Sequence, residues 1–195
     1  MTNNPQPLDR FAHSWAAQFA AFAWGLAEAT LFFIVPDVLL TLIGCRSIRA
    51  SLKASGFAIL GALLGGIIMY GSASIAPYTT RSWLTQLPAI HPPLIERVES
   101  QLATHGLGAV LLGPTLGIPY KIYAAEWGAR HGNQAMFLLI SIPARGFRFV
   151  LGALVAGGMA RLLAPWTQRR ARIEVAIHAL LWIGFYAFYF VRFGW

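Results

Sequence analysis

Hydrophobic residues run through this chain in long, nearly charge-free stretches, broken by short basic clusters and by prolines. Crossing a bilayer as a helix takes about 20 mostly apolar residues. Residues 54–76 meet that need, and Gly61, Gly65 and Gly66 within them suit close helix–helix contact. Residues 175–193 form a second span, free of charge from Val175 to Val191, with Tyr186, Tyr189 and Trp195 placed as interfacial anchors. A third span, 134–160, is long enough but carries Pro143, Arg145 and Arg148 inside it.

Two further apolar regions are interrupted. Residues 11–44 hold Glu28, Pro36 and Asp37, and only Asp37 to Gly44 remain after the proline before Arg46, Arg49 and Lys53. An arm of that size covers about 12 Å as a helix and cannot cross. Residues 106–128 hold Gly113-Pro114, Gly117, Pro119, Lys121 and Glu126. Both read as re-entrant broken hairpins, a backbone tolerated at membrane depth only inside protein or beside a wet cavity. Two spanning helices kinked at proline would give the same pattern. Each broken region precedes a full-length span, which suggests an internal repeat of opposite orientation. Between them, 92–105 places Leu94, Val98 and Leu102 on one face, as in an amphipathic helix lying at the membrane surface.

The fold expected is therefore an all-α integral membrane protein: two re-entrant hairpins of opposite orientation, about three spanning helices and one short interfacial helix. A polar tail (1–10) with no cleavage signal after it leads into a membrane domain (11–165). A basic loop and the last span (166–195) close the chain.

Composition agrees. Of 195 residues, 57% are hydrophobic and 11% charged, against a usual charged share of about 25%, and mean hydropathy is +0.58. A soluble domain is excluded. The net charge of +8 is better explained by cytoplasmic basic loops than by nucleic acid. Placing Arg10, 44–53 and 161–174 inside gives eight basic residues there and four outside (Arg81, Arg97, Arg130, Arg192), hence a cytoplasmic N-terminus.

The informative residues are charges inside apolar segments, where each costs about 2.5–3.5 kcal/mol or more. Glu28 and Asp37 flank one break, Lys121 follows the other, and Arg145 and Arg148 share a helical face. Intramembrane acids mark ion or proton paths, although buried salt bridges that only fix the fold would use the same residues. Glu126, beside Trp127, reads as interfacial. The single cysteine, Cys45, and five scattered histidines offer no metal set, and no nucleophilic elbow or phosphate loop is present. No metal, cofactor or enzymatic reaction is expected. The aromatic tail reads as lipid-facing.

At these positions the chain resembles a known family. Glu28-Ala-Thr-Leu-Phe-Phe-Ile-Val-Pro36-Asp37-Val-Leu-Leu resembles the first signature of the DedA (VTT-domain) membrane proteins, in their short YqaA-like branch. The run from Gly61 to Gly71 is similar to the Gly-rich helix that follows it, Gly113-Pro-Thr-Leu-Gly117-Ile-Pro119-Tyr120-Lys121 to the second signature, and Arg145-Gly-Phe-Arg148-Phe to the subsequent arginine run. The resemblance covers about residues 15–165. It implies two re-entrant hairpins meeting at mid-membrane and movement of lipid between leaflets, in a bacterial inner membrane. By position it makes Glu28 and Asp37 the essential, proton-exchanging acids. Lys121, Arg145 and Arg148 become ligands of an anionic head group, on a phospholipid or a polyprenyl phosphate, and Pro36, Gly117, Pro119 and Tyr120 the hairpin breaks. Thr115 stands where the family's other branch has arginine. The alternative reading is a membrane scaffold or envelope-homeostasis factor whose buried charges serve folding alone.

Overall fold

The computed structural model describes residues 7–167 and 171–193. Tail residues 1–6, Arg169, Arg170, Trp195 and the side chain of Thr115 lie outside the described part. Among the described residues every regular element is helical. In order they are α1 (Pro7–Ala12), α2 (Trp15–Glu28), α3 (Asp37–Arg46), α4 (Ile48–Ile75), α5 (Pro77–Leu84), α6 (Pro92–His105) and α7 (Gly108–Leu112). A 3-10 turn (Gly113–Leu116), α8 (Tyr120–Ala129), α9 (Gln134–Thr167) and α10 (Ala171–Phe193) follow. Three of these, α4, α9 and α10, are long and apolar enough to cross a membrane, as an integral membrane protein requires.

Several boundaries differ from the sequence expectation. The 44–53 segment is not a loop. Ser47 alone separates α3 from α4, and its hydroxyl accepts the Ala50 N–H at 3.2 Å, capping α4 six residues early. Arg49 and Lys53 then extend from the first turns of the helix to its exposed side. Likewise α9 runs on to Thr167, past 160, and α10 starts at Ala171 rather than 175. The polar tail already becomes helical at Pro7, and a further short helix, α5, precedes α6. The 92–105 helix falls on the expected residues, but its apolar face does not lie on a membrane. Ile95, Val98 and Leu102 are buried in one protein core with Leu84, Val110 and Tyr123, so protein covers the surface that lipid was expected to cover.

Small residues set the packing. A Cβ on Gly61 would meet the Phe22 carbonyl, and one on Gly25 would meet the Ala58 carbonyl, so α2 and α4 touch backbone to backbone. Gly66 lies under the Tyr120 ring, and Gly128 against the Tyr70 backbone, which seats α8 on the far part of α4. Gly44 and Gly157 do the same for α3 crossing α9. The result is reciprocal. In the first half (α2, α3, α4), α2 packs on its own long helix and α3 on α9; in the second (α7, α8, α9), α7 packs on α9 and α8 on α4.

Candidate functional site

Both interruptions are real breaks in helix. Between Glu28 and Asp37 the chain leaves helical geometry, and Pro36 then starts α3 with φ −61° and ψ −18°. Gly117, at φ +85°, ends the 3-10 turn in the left-handed region that glycine enters without steric cost, and Pro119 opens α8. Tyr120, expected within the break, is instead the first residue of α8 and is fully buried.

Unwound backbone at such a place must find hydrogen-bond partners. Side chains from elsewhere supply them. Lys121 Nζ donates to the Phe32 carbonyl at 2.7 Å, Trp24 Nε1 donates to the Ile34 carbonyl at 2.9 Å, and Val35 N–H donates to the Tyr186 hydroxyl at 2.8 Å. The Lys121 bond joins one break to the start of the helix after the other.

The expected charges converge. Arg145, on α9, makes an ion pair with Glu28 at the end of α2, and Arg148 Nη2 lies 2.7 Å from Asp37 Oδ2 at the start of α3. Glu28 is 5% exposed and Arg145 2%. The Arg145 guanidinium also sits 4.7 Å from the Tyr120 ring centre, and both arginines lie about 5.4–5.5 Å from Phe149. Tyr120 is fixed in turn by a 3.0 Å hydrogen bond to Ser141 and by stacking on Phe137.

All five charged residues line one cavity of about 220 Å³, together with Gly117, Pro119 and Tyr120. Val35 and Asp37, either side of Pro36, contribute as well. With every group ionised, two carboxylates face three cations, which leaves one positive charge in excess. Among the described residues Lys121 has no carboxylate within ion-pair distance. The cavity is therefore weakly cationic and holds one cation bound only to backbone carbonyl, a chemistry suited to a single anionic group. Glu126 is buried on α8 but is not part of this lining. Among the described residues no group of His, Cys, Asp and Glu is placed to hold a metal.

The rest of the wall was not legible as such. Trp182, Phe185 and Tyr189 on α10 form one side of the cavity, and Pro88 and Ile90 from the segment before α6 another. The aromatic tail is thus turned partly inward, where Trp182 Nε1 donates to the Thr41 hydroxyl at 3.2 Å and Phe33 meets Tyr186 and Phe190. Only the four-residue spacing of Trp182, Tyr186 and Phe190 hinted at an inward stripe, and lipid-facing aromatics can share that spacing. In comparison with known proteins, the chain matches no family model, no curated protein and no solved structure.

Proposed function

We propose that this protein moves an anionic, phosphate-headed lipid between membrane leaflets, as a flippase or scramblase, with Glu28 and Asp37 exchanging protons. One observation carries the reading: five charged side chains, from three separate segments of the sequence, line a single cavity within an apolar helix bundle. Charges at that depth are costly, and their convergence around an open space is what a polar head group would need. Lys121, Arg145 and Arg148 bind the head group, the arginines through paired N–H donors, while protonation of an acid releases its arginine for the substrate.

The two broken regions are, in this reading, re-entrant. At 14 and 10 residues, α2 and α3 reach about 21 and 15 Å, and α8 about 15 Å, each short of the roughly 30 Å hydrocarbon core. Arg46, Asp9 and Glu174 gather at the starting end of α4, and Arg81, Glu99 and Arg130 lie beyond its other end. We assign the first cluster to the cytoplasmic face of a bacterial inner membrane. Membership of the DedA family is part of the same proposal and rests on the motifs quoted above.

A second reading has its own support. Each acid is already paired with an arginine, as in a static scaffold. Translocation in proteoliposomes separates the two. A fluorescent phosphate-headed lipid is followed between leaflets, with and without a pH gradient, for wild type, Glu28→Gln, Asp37→Asn and Arg148→Ala. Transport lost in folded variants supports the lipid carrier, and dependence on the gradient supports proton coupling. Variants that move lipid as fast as wild type would refute the site, and an inactive wild type would leave the scaffold reading in its place.

A further inference from the structure

A lipid head group drawn into a cavity at membrane depth stays covalently tied to its chains, so the cavity needs an apolar exit. The structure has one. A groove of about 250 Å³ runs between α3, α9 and α10, and its walls are almost wholly apolar. Val155 and Met159 on α9 and Leu181 on α10 line it and are exposed toward the surroundings of the bundle. Small residues on α9, Gly152, Ala156 and Ala160, keep its floor open at successive turns. Groove and charged cavity adjoin at two points. Trp182 lines both. Gly152 lies between them, its absent Cβ 3.6 Å from Thr41 Cγ2 and 3.9 Å from Asp37 Oδ1.

We propose that this groove holds an acyl or prenyl chain of the lipid whose phosphate occupies the charged cavity, with Trp182 as the partition between chain and head. The inference rests on the lipid-transport reading and adds a chain subsite to it. Continuity selects the occupant. A second protein helix would fill the groove without using the cationic cavity beside it, whereas a phospholipid joins an anion to a hydrocarbon in one molecule. The seam can also admit a chain, because α10 packs on α3, α9 and the break before α3 along one side and is otherwise mostly exposed.

The test is photolabelling in nanodiscs with phosphatidic acid carrying a diazirine on one acyl chain, mapped by mass spectrometry. In the full-length wild type, labels should concentrate on Val155, Met159 and Leu181, about tenfold over the lipid-facing Leu64 and Ile67 of α4. Unlabelled phosphatidic acid should compete better than phosphatidylcholine. Ala160→Phe and Val155→Trp, which fill the groove without touching the charged cavity, should remove the enrichment while α4 labelling persists. Equal labelling of groove and α4 in the wild type overturns the subsite, and that measurement needs no variant to fold. Enrichment with equal competition by both lipids keeps the chain groove and overturns the anionic-head reading.

Discussion

Replacing Glu28 by glutamine removes a negative charge from a cavity that already has one positive charge in excess, and strands Arg145 beside Lys121 and Arg148. Two unit charges 4 Å apart interact by about 4 kcal/mol at an effective dielectric constant near 20. Removing one member of a buried pair costs about 3–5 kcal/mol, because the other stays charged and desolvated. Glu28→Gln should therefore destabilise the protein by about that amount. Arg145→Met should cost less, about 2–3 kcal/mol, even though it also loses the 4.7 Å contact with Tyr120. It leaves two acids facing two cations, so the cavity as a whole becomes neutral. The double variant should be no less stable than Glu28→Gln alone, with a coupling of about 2–3 kcal/mol that offsets the cost of Arg145→Met. Reversible unfolding in mixed micelles with increasing SDS, followed by circular dichroism, gives all three values. Additivity of the single variants within about 0.5 kcal/mol would refute the reasoning, since it would mean that the pair exerts no net force in the folded protein.

Four further substitutions have expected outcomes. Gly61→Ala should cost about 1–3 kcal/mol in the same assay, because its methyl group meets the Phe22 backbone and α2 must back away from α4. Gly56→Ala, with open space beside it, should be neutral or stabilising by about 0.5–1 kcal/mol. Ile95→Ala should cost about 2–5 kcal/mol if protein covers α6, and a loss under about 0.5 kcal/mol would return that face to the lipid. Arg46→Met should loosen both α1 and the start of α10, seen as faster proteolysis near Arg172, because Arg46 bridges Asp9 and Glu174. Those hydrogen bonds, the ones Arg46 donates to Asp9 first, raise the guanidinium pKa above its ordinary value. The stabilisation they bring is lost only as pH rises through that raised value, so mild alkali should leave this clasp intact.

Where sequence reading worked, the signal was local and strong. The apolar runs around 54–76, 134–160 and 175–193 each became a long helix, and His91-Pro92-Pro93 with Gly106 bounded α6 on both sides. Glu28, Asp37, Lys121, Arg145 and Arg148 could be singled out because an ionised group in an apolar run needs a reason. Which acid would meet which arginine could not be read, since the pairs form across 117 and 111 residues. Boundaries drifted where polar residues sit on a helix without ending it: Lys53 stays in α4, its ammonium 5.3 Å from the Trp15 ring, and α9 runs on past Arg161. The inward turn of Trp182, Phe185 and Tyr189 was hidden for a different reason. An aromatic stripe has the same period against lipid as against protein, so only the three-dimensional position of the first break reveals what it covers.

The wide separation of those charge pairs also bears on how the protein is made. A ribosome adding about 5–20 residues per second needs about 5–20 s to travel from Asp37 to Arg148. For that interval both acids of the first half exist without their arginines, and α3 lacks α9, the long helix on which it lies. The nascent first half therefore carries two acids in apolar surroundings without their partners, a reason to settle in the membrane only once α9 has emerged. Arrival of α9 delivers both arginines together and joins the two halves electrostatically, and α10, made last, then supplies the remaining wall of the cavity.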